Sequence, residues 1–243
     1  MLRDRVALVT GASSGIGAAI AIRLAEAGAT VVGAARRVDR VAALSKDHSG
    51  IHARSVDLRD EASIAALFLS IREEFGGVDV LVNNAGLGHH APLVSGDSER
   101  WREMLEVNVL ALAICTREAI SDMRRRGDRG HVVHVSSMAG HRVPGGSGVY
   151  SATKYAVRAL TEGLRQELRA AESHIRVSAV SPGFVETEFA EHYHQSAERA
   201  RETYRRYPVL QAEDVAETVF HVLSAPSHVQ IHDVLMRPTE QPG

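Results

Sequence analysis

Short runs of β-branched and apolar residues recur along this chain, each followed by a longer stretch with helical spacing. No other feature restricts the fold as much. Runs that are apolar along their length, such as Val6-Ala7-Leu8-Val9 and Val78-Asp79-Val80-Leu81-Val82, need cover on both faces, and alternating helices provide it. The expectation is an α/β protein: a Rossmann-like, doubly wound parallel seven-stranded sheet with helices on both faces. Strands are expected at 6–10, 30–34, 51–56, 79–83, 130–136, 175–181 and 229–235, and the clearest helices at 15–27, 99–126, 148–171 and 214–224. With 243 residues and no linker-like composition break, a single domain over 1–243 is expected. Segment 186–207 departs from the rhythm: it is charged, rich in His, Tyr and Arg, and follows Pro182-Gly183 at a strand end. An insertion there overhangs the carboxyl edge of the sheet, where open α/β folds bind ligands, so it reads as a substrate lid.

Several function classes lose their footing in the composition. Lys and Arg total 28 against 30 Asp and Glu, which gives no electrostatic case for nucleic acid or an anionic membrane as partner. No apolar run is long enough to span a bilayer. Cys115 is the only cysteine, so an internal disulfide is excluded; within Leu110-Ala111-Leu112-Ala113-Ile114-Cys115 it reads as core, not nucleophile. That usage, and residues 1–5 running straight into an apolar strand, set the expectation of a cytoplasmic protein. His192 and His194 come with no spacing that promises three or four converging ligands, so no metal is expected. Arg124-Arg125-Arg126 reads as a solvated helix end whose charge complements the helix dipole.

Between the first strand and its helix lies Thr10-Gly11-Ala12-Ser13-Ser14-Gly15-Ile16-Gly17. Glycines allow a tight turn and close backbone approach, and a helix N-terminus favours negative charge, so this turn suits the pyrophosphate of a dinucleotide. The spacing is G-x-x-x-G-x-G, and its strand–turn–helix context strengthens a signal that is weak alone. An acid at the end of the second strand would bind the ribose hydroxyls of NAD. This chain has Ala34-Ala35-Arg36-Arg37 instead. Guanidiniums suit a 2′-phosphate through paired charge-assisted hydrogen bonds, so NADP(H) is expected over NAD(H).

Tyr150 and Lys154 stand four residues apart, which on a helix puts them on one face. An ammonium beside a phenol favours phenolate, so a depressed tyrosine pKa is expected, as a general acid/base near neutral pH needs. Ser137 can donate to a carbonyl oxygen as negative charge develops there. Asn108 is poorly suited to a helix interior and needs a reason to be there. Hydride transfer coupled to proton transfer at a carbonyl or alcohol carbon is the chemistry this set points to.

These motifs, with Asp57, Asn83-Asn84-Ala85-Gly86 and Pro182-Gly183, in this order and spacing, resemble the short-chain dehydrogenase/reductase superfamily over almost the whole chain. The resemblance implies residue roles: Asp57, with Leu58 beside it, at the adenine; Asn84, Ala85, Gly86, Pro182 and Gly183 at the cofactor; Val185 and Thr187 on the nicotinamide carboxamide. It further implies Ser137 on the substrate oxygen, Tyr150 exchanging the proton, Lys154 on the nicotinamide ribose, and Asn108 holding a water that completes a proton relay. A homotetramer or homodimer is implied through pairing of the two long helices. Residues 140–154 and 232–241 resemble, more narrowly, NADP-dependent serine/3-hydroxy acid dehydrogenases and clavulanate-type aldehyde reductases. Substrate contacts are expected from Ser137, Tyr150, His89 and Arg142, the last as a carboxylate anchor. The expected substrate is a small alcohol or carbonyl compound; a 3-oxoacyl or polyketide-type ketoreductase is the alternative, and a non-catalytic dinucleotide sensor the rival of another class.

Overall fold

The computed structural model describes residues 2–242. Its strands are β1 (Val6–Thr10), β2 (Thr30–Ala35), β3 (Ile51–Ser55), β4 (Val80–Asn83), β5 (His131–Val135), β6 (Arg176–Pro182) and β7 (Asp233–Met236). They form one seven-stranded sheet in the order β3-β2-β1-β4-β5-β6-β7, parallel throughout. The order reverses between β1 and β4, and the crevice beyond such a reversal is where open α/β sheets hold ligands. Register places Val9 opposite Val82, so the turn at Gly11 and the loop at Asn84 leave the sheet side by side.

The helices are α1 (Gly15–Glu26), α2 (Val38–Asp47), α3 (Glu61–Phe75), α4 (Ser98–Leu105), α5 (Leu112–Arg125), α6 (Gly148–Ala170), α7 (Phe189–His194), α8 (Ala197–Tyr204) and α9 (Ala212–Ser224). Strand residues alternate between two cores because successive side chains point to opposite faces. Ala7, Val9, Val31 and Val82 meet Ile20, Leu24, Val41 and Val219 on one face. Leu8, Val32, Leu81 and Val132 meet Ile64, Phe68, Met123 and Leu168 on the other. Phe68 is fully buried, and truncating such a side chain to alanine costs about 3–5 kcal/mol. Local chemistry sets several helix ends. Asp60 accepts from Ala62 N to start α3, and Gly76 stops it at φ 78°.

Two expectations change. The long helix over 99–126 is interrupted by a π-helical stretch, Glu106–Ala111, with Asn108 inside it; such bulges gather at functional sites. β7 starts at Asp233, later than expected, because the preceding backbone turns: Val229 N donates to Pro226 O, and Arg176 Nη1 donates to the carbonyls of Ala225, Pro226 and Val229. The arginine run at the end of α5 is exposed, as expected, and two of its members also hold buried acids. Arg126 forks onto the buried Asp79 carboxylate with two 3.0 Å bonds, and Arg125 holds Asp122. No helix among the described residues is long and apolar enough to cross a membrane.

Candidate active site

A cleft of about 870 Å³ opens at the carboxyl ends of β1, β4, β5 and β6. Of the site residues expected from sequence, all but Asn108 line it.

Its phosphate end is backbone packed against backbone. Gly11 has φ 70°, and a Cβ on it would lie 2.9 Å from Ala85 Cα. A Cβ on Gly17 would lie 2.3 Å from Gly11 O and 2.4 Å from Asn84 Nδ2. Loop 84–86 is stapled to the turn: Asn84 Nδ2 donates to Thr10 O at 3.0 Å, and Thr10 Oγ1 accepts from Asn84 N and Ala85 N, each at 3.1 Å. Ser14 precedes α1 yet makes no side-chain cap, and its hydroxyl instead accepts from Arg37 Nη2 at 2.8 Å. The first N–H groups of α1 are therefore uncapped at the cleft, and a pyrophosphate fits such a helix end. Arg36 is exposed and makes no ion pair or side-chain hydrogen bond among the described residues. Arg37 spans Ser14, Ser13 at 3.4 Å and Glu188 at 2.9 Å. Asp57 is at the far end, its Oδ1 accepting from Arg59 N at 3.0 Å.

The chemical end lies where β5 and α6 converge. Ser137 follows β5 and accepts from Ala139 N at 3.1 Å, so it caps the short 3-10 turn Met138–Gly140 while its hydroxyl stays on the cleft. Tyr150 and Lys154 are on the same face of α6. The ammonium lies 5.9 Å from the tyrosine ring centre and donates to Val135 O at 3.0 Å. Burial draws the Lys154 pKa down to about 8. The expected depression of the Tyr150 pKa is not found: burial pushes it up to about 12, a hydrogen bond with Ser137 pulls the other way, and Tyr193 adds to the rise. Desolvation of the phenolate outweighs a neighbouring ammonium that is itself desolvated and spent on a carbonyl.

Asn108 stands behind this wall, buried. Its Oδ1 accepts from Leu87 N at 2.9 Å, and its Nδ2 donates to Leu87 O at 2.8 Å and Thr153 Oγ1 at 3.1 Å. Both amide hydrogens are committed, which leaves one oxygen lone pair for the expected water. The side chain thus ties the loop after Gly86 to α6, beside Tyr150.

Segment 186–207 folds over the mouth as α7 and α8. Thr187 reaches the glycine turn, its Cγ2 lying 2.9 Å from where a Cβ on Gly15 would be. Tyr204 fastens the strap, its hydroxyl accepting from Thr187 N at 3.4 Å and donating to Thr187 O at 3.1 Å. Phe189 and Tyr193 pack on Tyr150, with ring centres 5.5 and 6.2 Å away. Gly88 makes room for them, since a Cβ there would come within 2.7 Å of Phe189 and 3.1 Å of Tyr150. His89 lines the cleft with Nε2 on Glu103 at 2.7 Å and Nδ1 buried without a partner. Arg142 also lines it, its Nε buried and unpartnered. The sequence reading did not single out Gly88, Glu103, Glu188, Phe189 or Tyr204. Only Glu188, Phe189 and Tyr204 had a signal, their place in the segment that breaks the strand–helix rhythm.

A tyrosine, lysine and serine wall faces an uncapped, glycine-rich helix end across one cleft, and the class of protein that matches is an oxidoreductase of CH–OH and C=O groups. The match to the short chain dehydrogenase family runs over residues 5–198, and the chain belongs to that family. It is 52% identical over 249 residues to Dehydrogenase/reductase SDR family member 11 of Bos taurus, covering 98% of each chain. It is 43% identical over 243 residues to a Farnesol dehydrogenase of Aedes aegypti, covering 96% of each. Among solved structures, the closed form of a serine dehydrogenase complexed with NADP+ superposes with a TM-score of 0.93 at 33% identity, over 98% of this chain and 96% of that one.

Proposed function

We propose that this chain is an NADP(H)-dependent oxidoreductase that moves a hydride between the nicotinamide and a small alcohol or carbonyl substrate, with Tyr150 as general acid/base. The observation that carries the reading is the placing of Ser137, Tyr150 and Lys154 on one wall of the cleft onto which the glycine turn, Arg36 and Arg37 also open. When bound, the cofactor supplies or takes up the hydride and, oxidised, brings positive charge to the nicotinamide end. Gly11, Ser13, Ser14, Gly15, Ile16 and Gly17 hold its pyrophosphate, Arg36 and Arg37 its 2′-phosphate, Asp57 and Leu58 its adenine. Lys154, Pro182, Gly183, Val185 and Thr187 hold the nicotinamide end. Ser137 steadies the substrate oxygen by donating to it, and Tyr150 gives that oxygen its proton in reduction. In oxidation Tyr150 takes the proton, so the oxidation rate rises with pH as the phenolate forms.

The protein's own shape supports two substrate classes. Arg142, a guanidinium with an unpartnered buried Nε on the cleft, supports a 3-hydroxy acid held by its carboxylate. The Phe189–Tyr193–Tyr150 aromatic wall supports a neutral apolar alcohol or aldehyde. The lid reading of 186–207 follows from the same wall, and the groove of about 650 Å³ between α5 and α6, walled by Leu112, Ile120, Leu160 and Leu164, supports self-association.

The test is Tyr150→Phe, assayed by nicotinamide absorbance and by NADPH titration. The expected result is a kcat/KM lower by about 10²–10⁴-fold with NADPH affinity retained. Wild-type turnover with Phe at this position would remove Tyr150 from the mechanism. Hydroxy acids with NADP, and neutral alcohols and aldehydes beside them, decide the substrate class. Arg142→Leu raises KM for the acids alone if the carboxylate anchor is right.

A further inference from the structure

The arginines that follow β2 already carry a carboxylate from the far side of the cleft. Glu188 Oε2 accepts from Arg37 Nη1 at 2.9 Å, and Glu188 Oε1 accepts from Arg40 Nη1 at 2.7 Å. The same Arg37 guanidinium holds Ser14 and Ser13 of the phosphate turn through its other nitrogen. One side chain therefore joins the phosphate turn to the strap. The next residue, Phe189, packs on Tyr150. Glu188 is tightly ionised, its carboxyl held at about 2 by Arg40 and Arg37.

A 2′-phosphate presents between one and two negative charges and three strong acceptor oxygens. A guanidinium has a fixed fork of donors, and a second anion on the same fork meets both lost hydrogen bonds and like-charge repulsion. Resting on the NADP(H) reading above, we propose that Glu188 is an internal competitor for the cofactor's 2′-phosphate. Its carboxylate occupies Arg37 and Arg40 donors and lowers the advantage that the arginines confer on the phosphorylated cofactor. Arg36 is the guanidinium left open for first contact. The competitor makes cofactor choice a property of the strap as well as of β2: any movement of α7 that withdraws Glu188 raises the phosphate affinity.

The test uses fragments that carry the adenosine end alone: 2′,5′-ADP and 5′-AMP, titrated calorimetrically into wild type, Glu188→Gln and Glu188→Ala. Asp39→Asn serves as a control for the general field, because Asp39 is an exposed carboxylate in the first turn of α2 with no ion pair among the described residues. Both Glu188 variants are expected to bind 2′,5′-ADP about two- to fivefold more tightly, the size of one exposed ion pair, with 5′-AMP gaining less. The gain is expected to shrink at ~1 M salt, where charges a few ångströms apart are screened. Unchanged or weaker 2′,5′-ADP binding, an equal gain for 5′-AMP, or the same gain from Asp39→Asn overturns the proposal. Absence of any preference for 2′,5′-ADP in the wild type and in both Glu188 variants removes the cofactor reading itself, and the competitor with it. A wild type that prefers 2′,5′-ADP, with no gain at Glu188, removes the competitor alone.

Discussion

The two ends of the cleft are built from different materials. At the phosphate end, main chain lies on main chain: Gly17 against Gly11 O, Gly11 against Ala85, and Asn84 bridging both. At the substrate end, side chains lie on side chains: Phe189 and Tyr193 on Tyr150, and Glu103 on His89. Packed backbone has no rotamers with which to absorb an added atom, whereas an aromatic strap can shift at modest cost. A fold built this way makes the glycine-turn end intolerant of added atoms and leaves the substrate end adjustable.

The harshest way to break that contrast is Gly17→Ala. Its new methyl would sit 2.3 Å from a carbonyl oxygen fixed by the β1–α1 turn. Overpacking of this kind costs about 1–3 kcal/mol, and here the strain falls on the phosphate turn itself, so dinucleotide affinity is expected to fall by about tenfold to a hundredfold. Calorimetric titration with NADPH, beside a melting curve, separates lost binding from lost fold. Wild-type affinity in a folded Gly17→Ala protein would mean that the backbone end is as pliable as the strap.

Acid separates the sheet interior from the strap. On β5, burial draws the pKa of His131 and of His134 from 6.5 to about 3. Both hydrogen-bond as neutral rings, His131 to Ser178 and His134 to Thr116 and Thr161. In the unfolded chain each takes up a proton near its ordinary value, so stability is fully present above about pH 6.5 and is lost as pH falls toward 3. The ceiling is about 1.4 kcal/mol per histidine per pH unit. The strap behaves differently: Glu188, depressed to about 2, contributes above the ordinary carboxylate range, and its ion pairs persist until pH falls toward that value. Denaturant midpoints between pH 7 and 5 should therefore drop steeply in wild type. A His134→Gln variant should show a shallower slope; an unchanged slope would place the acid sensitivity elsewhere.

What could be read in advance follows the same divide. The parallel sheet, the glycine turn, the missing acid after β2 and the Tyr150–Lys154 spacing are local in sequence, and periodicity or spacing carries them. The partners of the strap are not: Glu188 meets Arg37 and Arg40 across separations of 151 and 148 residues. Arg126 was legible as a basic helix end, yet its role is decided by Asp79, 47 residues away. The direction of the Tyr150 pKa also escaped, because Lys154 is visible at i+4 whereas Phe189 and Tyr193, which bury the phenol, arrive from another part of the chain. The π-helical turn at Asn108 had a partial signal in an amide placed where a helix does not favour one.

The gentlest prediction tests whether the strap tunes chemistry as well as fit. Tyr193 packs edge-on to Tyr150, and its presence raises the Tyr150 pKa. An aromatic pair of this kind is worth about 0.5–1.5 kcal/mol, so Tyr193→Ala should raise KM for a carbonyl substrate by roughly two- to tenfold. NADPH affinity should hardly move, since Gly11, Gly17 and Asn84 are untouched. Opening the wall also hydrates the phenol, so its pKa should fall from about 12 toward the ordinary value, and the alkaline rise in oxidation rate should begin at lower pH. Tyr193→Phe keeps the ring and should leave KM near wild type. If Tyr193→Ala weakened NADPH as strongly as substrate, the two ends would be one mechanical unit; if the pH profile stayed in place while KM rose, the strap would shape the pocket without setting the acidity of its tyrosine.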